Sequence, residues 1–251
     1  MNIPRDMARD IAGRAKTDPA GALAFERVLG EADFLPSSFA LKAAALTSAV
    51  GKVAVLTGGR IAWSGTGFMI SPTLMMTNNH VLNGKQVAGL AEFWLDYGLT
   101  SEDDERPATR LRLRPDLFFV TSPAEELDYT VVAVDGPEAG LGRPWFHLIT
   151  DSGKALVGDH VNVIQHPAGR RQELVVRNSR VTFVEERLHY VYYEADTQGG
   201  SSGAPVCNDA WQLAFLHHAS VPRRDGNGNI LKKDGGIYRE GDPDSDVDWI
   251  A

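Results

Sequence analysis

From residue 51 onward the chain is a succession of short apolar or alternating runs cut by Gly, Pro, Asn and Asp. No helix-period segment long enough to serve as a crossover lies between them. Parallel strands need crossovers of a dozen or more residues, so this spacing demands antiparallel pairing and an all-β body. In the first half the runs are Val53–Leu56, Gly67–Ile70, Leu74–Met76, Val87–Tyr97 and Leu127–Val134. Those of the second half are Val161–Ile164, Leu174–Val176, Val181–Val184, Tyr190–Tyr193 and Trp211–Leu216. The glycine-rich stretch Gly136–Gly142 reads as the link between halves. Closing each set on itself removes exposed edges, so a pair of antiparallel barrels is expected.

Residues 1–50 have a different texture. Ala20–Leu29 is rich in helix formers behind Asp18-Pro19, and Phe39, Ala43, Leu46 and Val50 share one helix face after a cap at Ser37 or Ser38. The expected organisation is a helical N-terminal leader (1–50), a first β-barrel (51–140), and a second β-barrel with a C-terminal tail (141–251).

The 251 residues carry a formal net charge of −8, and 43% of them are hydrophobic. An acidic balance argues against nucleic acid as a partner, because phosphate binding draws on clustered Lys and Arg. Arg110, Arg112 and Arg114 alternate along one run, and Arg170-Arg171 and Arg223-Arg224 are small basic spots, read as solvated faces. No stretch reaches membrane-spanning length, and no apolar segment follows Met1-Asn2-Ile3-Pro4-Arg5-Asp6. The lone Cys207, beside apolar Val206, reads as a buried inert thiol. With no intrachain disulfide available, a cytoplasmic location is expected.

Candidate chemistry centres on Asp196-Thr197-Gln198-Gly199-Gly200-Ser201-Ser202-Gly203-Ala204-Pro205. Glycines at 199, 200 and 203 let the backbone turn sharply and point several N–H groups into one small volume. Acyl transfer needs a hydroxyl nucleophile beside such fixed donors, so Ser202 is the candidate nucleophile, with the N–H groups of Gly200 and Ser202 as an oxyanion hole. A serine requires a base and an orienting acid. His80 follows the run Leu74–Asn79, and Asp128 stands at the mouth of Tyr129–Val134.

Thr77-Asn78-Asn79-His80-Val81, Leu127-Asp128-Tyr129-Thr130-Val131-Val132 and Gly200-Ser201-Ser202-Gly203-Ala204-Pro205 resemble the three signatures of the trypsin-like (chymotrypsin-fold) serine peptidases, in that family's order of His, Asp, Ser. The resemblance implies two antiparallel six-stranded β-barrels with His80, Asp128 and Ser202 in the cleft between them, a protein or peptide substrate, and no cofactor. It further implies that the strand Leu213–Ser220 lines the pocket for the side chain preceding the scissile bond, bringing in His217, His218, Ala219 and Ser220. Asp196 matches the acid that receives Lys or Arg in trypsin-like members. Thr197 and His217 resemble the carboxylate-binding positions of glutamyl endopeptidases, and the two preferences stand open side by side. Ser201 occupies the position where secreted members carry an aspartate that pairs with a cut N-terminus, so maturation by that ion pair is not expected. The N-terminal helices and the acidic tail from Glu240 are where further partners or domains would attach.

His147, His160, His166 and His189 lack metal-ligand spacing, and Asp225–Asn229 reads as a hairpin turn rather than a calcium loop, so no metal is expected. Two rival readings are a catalytically idle peptide-binding module of the same fold and a non-peptidase esterase. The latter lacks the G-x-S-x-G elbow and its helix–strand alternation.

Overall fold

The computed structural model describes residues 34–135, 142–150, 153–185 and 190–251. The expected leader helix over Ala20–Leu29, nearly all of the link Gly136–Gly142, and His189 lie outside these. The chain divides into two compact units, 1–37 and 38–251, and the second carries everything below. No helix of the described residues is long and apolar enough to cross a membrane.

Helix α1 (Ser38–Thr47) buries Ala43 and lays Phe39 and Leu46 against the main core, with the Phe39 ring 5.1 Å from Trp211. Val50, expected on the same helical face, instead opens strand β1 (Val50–Thr57). Strands β2 (Arg60–Met69), β3 (Leu74–Thr77), β4 (Ala91–Leu95), β5 (Thr109–Ser122) and β6 (Tyr129–Val134) follow. Together they form a closed antiparallel barrel in the order β1-β2-β3-β6-β5-β4. The β1–β2 connection is Gly58-Gly59, both at positive φ, the backbone a two-residue hairpin requires. Where the run Val87–Tyr97 reads as one strand, its start is the short helix α2 (Lys85–Gly89). Lys, Gln and Ala are better helix than strand formers, and pairing begins only at Ala91.

The second half holds β7 (His160–Gln165), β8 (Glu173–Glu185), β9 (Tyr190–Tyr193), β10 (Pro205–Cys207) and β11 (Leu213–Leu216) as a five-stranded sheet, ordered β11-β10-β7-β8-β9. Strands β12 (Val221–Pro222) and β13 (Trp249–Ile250) form a separate ribbon. Ala251 exchanges two backbone hydrogen bonds with Tyr193 at the β9 edge. Among the described residues this half is therefore an open sheet extended at one edge, not a closed six-stranded barrel. The reason lies in residues 223–248. Turn-rich sequence such as Asp225–Asn229 and Asp234-Gly235-Gly236 leaves no apolar run long enough for a sixth strand, and only isolated bridges form there. Asp225 accepts from the backbone of Asn227 and Asn229, as the hairpin reading requires.

Val53, Phe68, Met75, Phe93, Leu95 and Val132 fill the barrel, while Val161, Val163, Val181, Tyr193 and Val206 form a second cluster. Cys207 is buried against the first cluster, and burial pushes its thiol pKa up, as expected of an inert thiol. Several basic spots prove to be ion-paired: Arg171 with Glu105, and Arg223 with Glu194 and Asp248. Arg110 lies over the Trp94 ring at 4.1 Å.

Candidate active site

Strand β3 ends at Thr77, and the turn that follows delivers His80. Its neighbours hold that turn: Asn78 Nδ2 donates to the Asp128 carbonyl (2.9 Å) and Asn79 Nδ2 to Thr121 Oγ1 (2.8 Å). Asp128 precedes β6 with φ +45, a left-handed conformation that Asp tolerates better than most residues, and its N–H donates to the Pro123 carbonyl at 3.1 Å. Its carboxylate grips His80 twice. The His80 backbone N–H donates to Oδ1 (2.9 Å) and Nδ1 bonds Oδ2 (2.7 Å). A second imidazole reaches the same oxygen, since His218 Nδ1 lies 2.5 Å from Oδ2.

The side chain of Asp128 is 1% exposed, those of His80 and His218 38% and 34%. Burial alone would raise the carboxyl pKa. The hydrogen bonds from His218, from the His80 ring and from the His80 backbone overcome it and hold the group well below the usual carboxylate range. Asp128 is thus ionised and accepts only, which puts the hydrogen of each imidazole on Nδ1. For His80 that leaves the Nε2 lone pair free.

Ser202 sits on a turn carried by Gly200 (φ +100) and Gly203 (φ +86), conformations in which a side chain is strained. Space makes the same demand. A Cβ on Gly203 would lie 2.2 Å from the Thr66 carbonyl oxygen and 2.3 Å from Thr77 Oγ1, so this turn is pressed onto β2 and onto the end of β3 that leads to His80. Thr66 joins the two halves. Its N–H donates to the Ser202 carbonyl (2.8 Å), and its hydroxyl donates to the Gly200 carbonyl (2.8 Å) while accepting from the His166 N–H (3.0 Å). Thr77 Oγ1 donates in turn to the Thr66 carbonyl at 2.7 Å. From the other side the Ala168 N–H fixes the Gly199 carbonyl (2.6 Å), and Gly203 and Ala204 pair with His217. Ser201 is fully buried and its hydroxyl accepts from the Gln198 N–H.

The N–H groups of Gly200 and Ser202 donate to no acceptor among the described residues, and the Ser202 hydroxyl makes no hydrogen bond there, to His80 or to anything else. Ser202 lines a cleft of about 1120 Å³ together with Asp196, Thr197, His217, Ala219 and Ser220. His218 does not line it. This residue, expected in the substrate wall, turns to Asp128 and to a smaller cavity of about 400 Å³. In the large cleft Thr197 Oγ1 pairs with Ser220 Oγ (2.7 Å), the Asp196 carbonyl accepts from Gln165, and the Asp196 side chain is exposed.

His217 is buried, and Nδ1 lies 2.7 Å from the Tyr193 hydroxyl. Burial first, then the charges of His218 and His80, lower its pKa to about 4. Tyr193, fully buried, has no other acceptor among the described residues, so its O–H donates to Nδ1 and the remaining donor of His217 is Nε2–H.

Thr66, Tyr193 and the role of His218 are absent from the sequence reading. A threonine between two glycines in Gly65-Thr66-Gly67 is the one local hint, since glycine inside a strand often marks a close backbone approach. Among the described residues, His80, Asp128 and His218 are the one group whose ligand atoms, within 4.8 Å of one another, could hold a metal. Those atoms are already engaged in hydrogen bonds with one another.

The chain is 37% identical over 214 residues to Uncharacterized protein y4fB of Sinorhizobium fredii, an alignment covering 80% of this chain and 32% of that protein. It is 28% identical over 167 residues to Secreted RxLR effector protein 73 of Plasmopara viticola, covering 61% and 40%. It thus spans about a third to two-fifths of the length of these relatives. In fold it is similar to the serine endoprotease from Yersinia pestis, with TM-score 0.54 and 15% identity over 86% of this chain and 62% of the other. The trypsin-like peptidase domain matches residues 65–214, more than half of the chain and the whole span from Thr66 to Ser202, and the protein belongs to that family.

Proposed function

We propose that the chain is a serine endopeptidase working through an acyl-enzyme on Ser202. The observation that carries this reading is the double grip of Asp128 on His80, set beside a turn whose Gly200 and Ser202 N–H groups are unspent. The Ser202 hydroxyl attacks the carbonyl carbon of a peptide bond in the cleft while His80 Nε2 removes its proton. Asp128 keeps the Nδ1–H tautomer and stabilises the imidazolium, and the two N–H groups receive the negative charge on the carbonyl oxygen. His80 then returns the proton to the leaving amine, and water, deprotonated by His80, releases the acyl group. The open Ser202–His80 contact is in keeping with a substrate-free site, where such bonds tighten only in the reacting complex.

For the residue before the scissile bond, the donors offered by His217, Thr197 and Ser220 favour a carboxylate or carboxamide side chain. Asp196 at the same cleft works in the opposite sense, so the contrast that matters is Glu against Arg. The single buried cysteine fits a reducing compartment, and we place the chain in the cytoplasm.

Labelling with a fluorophosphonate probe tests the reading. Wild type should label and Ser202→Ala should not; equal labelling of both removes Ser202 from the role. A wild type that binds peptides without labelling or cutting them would establish the idle binding module instead. Digestion of a peptide library reports the preferred residue.

A further inference from the structure

We propose that His218 is a positioning residue of the acid–base pair, a second imidazole clamping the carboxylate that orients His80. This rests on the proposed function for its catalytic consequence, though not for its geometry. Asp128 Oδ1 is taken by the His80 backbone, so His80 Nδ1 and His218 Nδ1 share Oδ2 at 2.7 and 2.5 Å. The two rings stand edge to face, their centroids 5.7 Å apart. A carboxylate oxygen presents two lone-pair directions, and here both are filled from protein.

What makes His218 a positioner, rather than a bystander at hydrogen-bond distance, is where it is anchored. Asp128 and His80 both belong to the closed barrel, at the entry to β6 and the exit of β3. His218 follows β11 in the other half. Its neighbour His217 exchanges backbone hydrogen bonds with the Ser202 turn, Gly203 N–H to the His217 carbonyl (2.9 Å) and His217 N–H to the Ala204 carbonyl (2.9 Å). The path from Ser202 through Gly203, His217 and His218 to Asp128 and His80 is therefore a continuous chain of covalent and hydrogen-bonded links across the cleft. Tyr190, its ring 5.5 Å from that of His218, backs the imidazole from β9. Removing the His218 donor would leave one lone pair of a buried carboxylate unmet. It would also leave the carboxylate held by His80 alone, with no link through this residue from Asp128 to the half that carries Ser202.

The test compares three forms of this chain: wild type, His218→Leu, which removes the donor, and His218→Asn, whose Nδ2 can take the place of Nδ1. Loss of one charge-assisted hydrogen bond at a reacting pair corresponds to a fall of about 10- to 100-fold in kcat. His218→Leu should show that fall with KM within about threefold of wild type, and His218→Asn should recover most of it. In proton spectra of chains carrying ¹⁵N-histidine, wild type should give two downfield imidazole Nδ1–H signals, and His218→Asn only that of His80.

A kcat for His218→Leu equal to wild type, an effect confined to KM, or equal impairment of Leu and Asn variants overturns the proposal. If wild type neither labels with fluorophosphonate nor cuts peptide, the proposed function fails, yet the spectra still decide whether His218 donates to Asp128. A single downfield signal in wild type overturns the shared-carboxylate arrangement itself.

Discussion

Replacing Gly203 by alanine should damage stability and the proposed chemistry together, because this residue is where the Ser202 turn meets the barrel. Two costs can be separated. Alanine at φ +86 carries the left-handed penalty, about 1–2 kcal/mol. The new methyl would also sit 2.2 Å from the Thr66 carbonyl oxygen and 2.3 Å from Thr77 Oγ1, roughly 1 Å inside ordinary contact. Neither neighbour can yield alone, since Thr77 Oγ1 donates to that carbonyl (2.7 Å) and the Thr66 N–H holds the Ser202 carbonyl (2.8 Å). Breaking one or two of these hydrogen bonds costs about 1 kcal/mol each, giving about 2–4 kcal/mol in all. For a body of this size, each kcal/mol lowers Tm by about 2–4 °C, so a drop of roughly 5–15 °C is expected in calorimetry. Gly58→Ala is the control. That glycine has φ +58, and a methyl added there would meet nothing within 4 Å, so only the backbone penalty of about 1–2 kcal/mol applies and Tm should fall by about 2–8 °C. Fluorophosphonate labelling should slow at least about 100-fold in Gly203→Ala, as a displacement near 1 Å at a nucleophile typically costs, and stay at wild-type rate in Gly58→Ala. If the two variants melt within a degree of each other and label alike, the close approach of the Ser202 turn to Thr66 and Thr77 is wrong.

Two further outcomes follow from the same geometry. Thr66→Val keeps shape but removes the hydroxyl that joins the Gly200 carbonyl to the His166 N–H, leaving one partly buried and one buried backbone group unmet. It should cost about 2–4 kcal/mol in denaturant unfolding and slow labelling about tenfold or more, whereas Thr66→Ser should restore both, and a wild-type labelling rate in Thr66→Val would refute the role. His166 and His217 are both buried with pKa values lowered to about 4, by burial first and then by neighbouring positive charge, Lys52 for the one and His218 and His80 for the other. Between pH 4 and about 6.5 the unfolded chain binds more protons at these positions than the folded one, so they make stability rise with pH through that window and fall as it is acidified. Each adds a slope of up to about 1.4 kcal/mol per pH unit. Urea titrations at several pH values should show that slope, reduced in His166→Asn; an unchanged slope in the variant would exclude His166 as a contributor.

Much of this protein is local in origin and legible in the chain. Period-2 runs broken by turn residues, with no crossover helix, dictate antiparallel sheet, because the alternation of side chains across a strand is a property of the backbone itself. Gly199, Gly200 and Gly203 mark a sharp turn at Ser202 for the same kind of reason: the steric limits on φ belong to single residues. Strand content alone overstates the closure of the second half, since residues 223–248 spend their length on turns and pair only through isolated bridges. Thr66, Tyr193 and His218 escape the sequence for a different reason. Each acts through a partner 24 to 134 positions away along the chain: Thr66 on Gly200, Tyr193 on His217, His218 on Asp128. Such pairings are created only when the sheets pack, and a histidine looks the same in sequence whether it faces substrate or a buried carboxylate. Residue types and backbone limits therefore determined the strands, the turn and the three signatures, while tertiary packing alone decided that two imidazoles meet on one oxygen of Asp128.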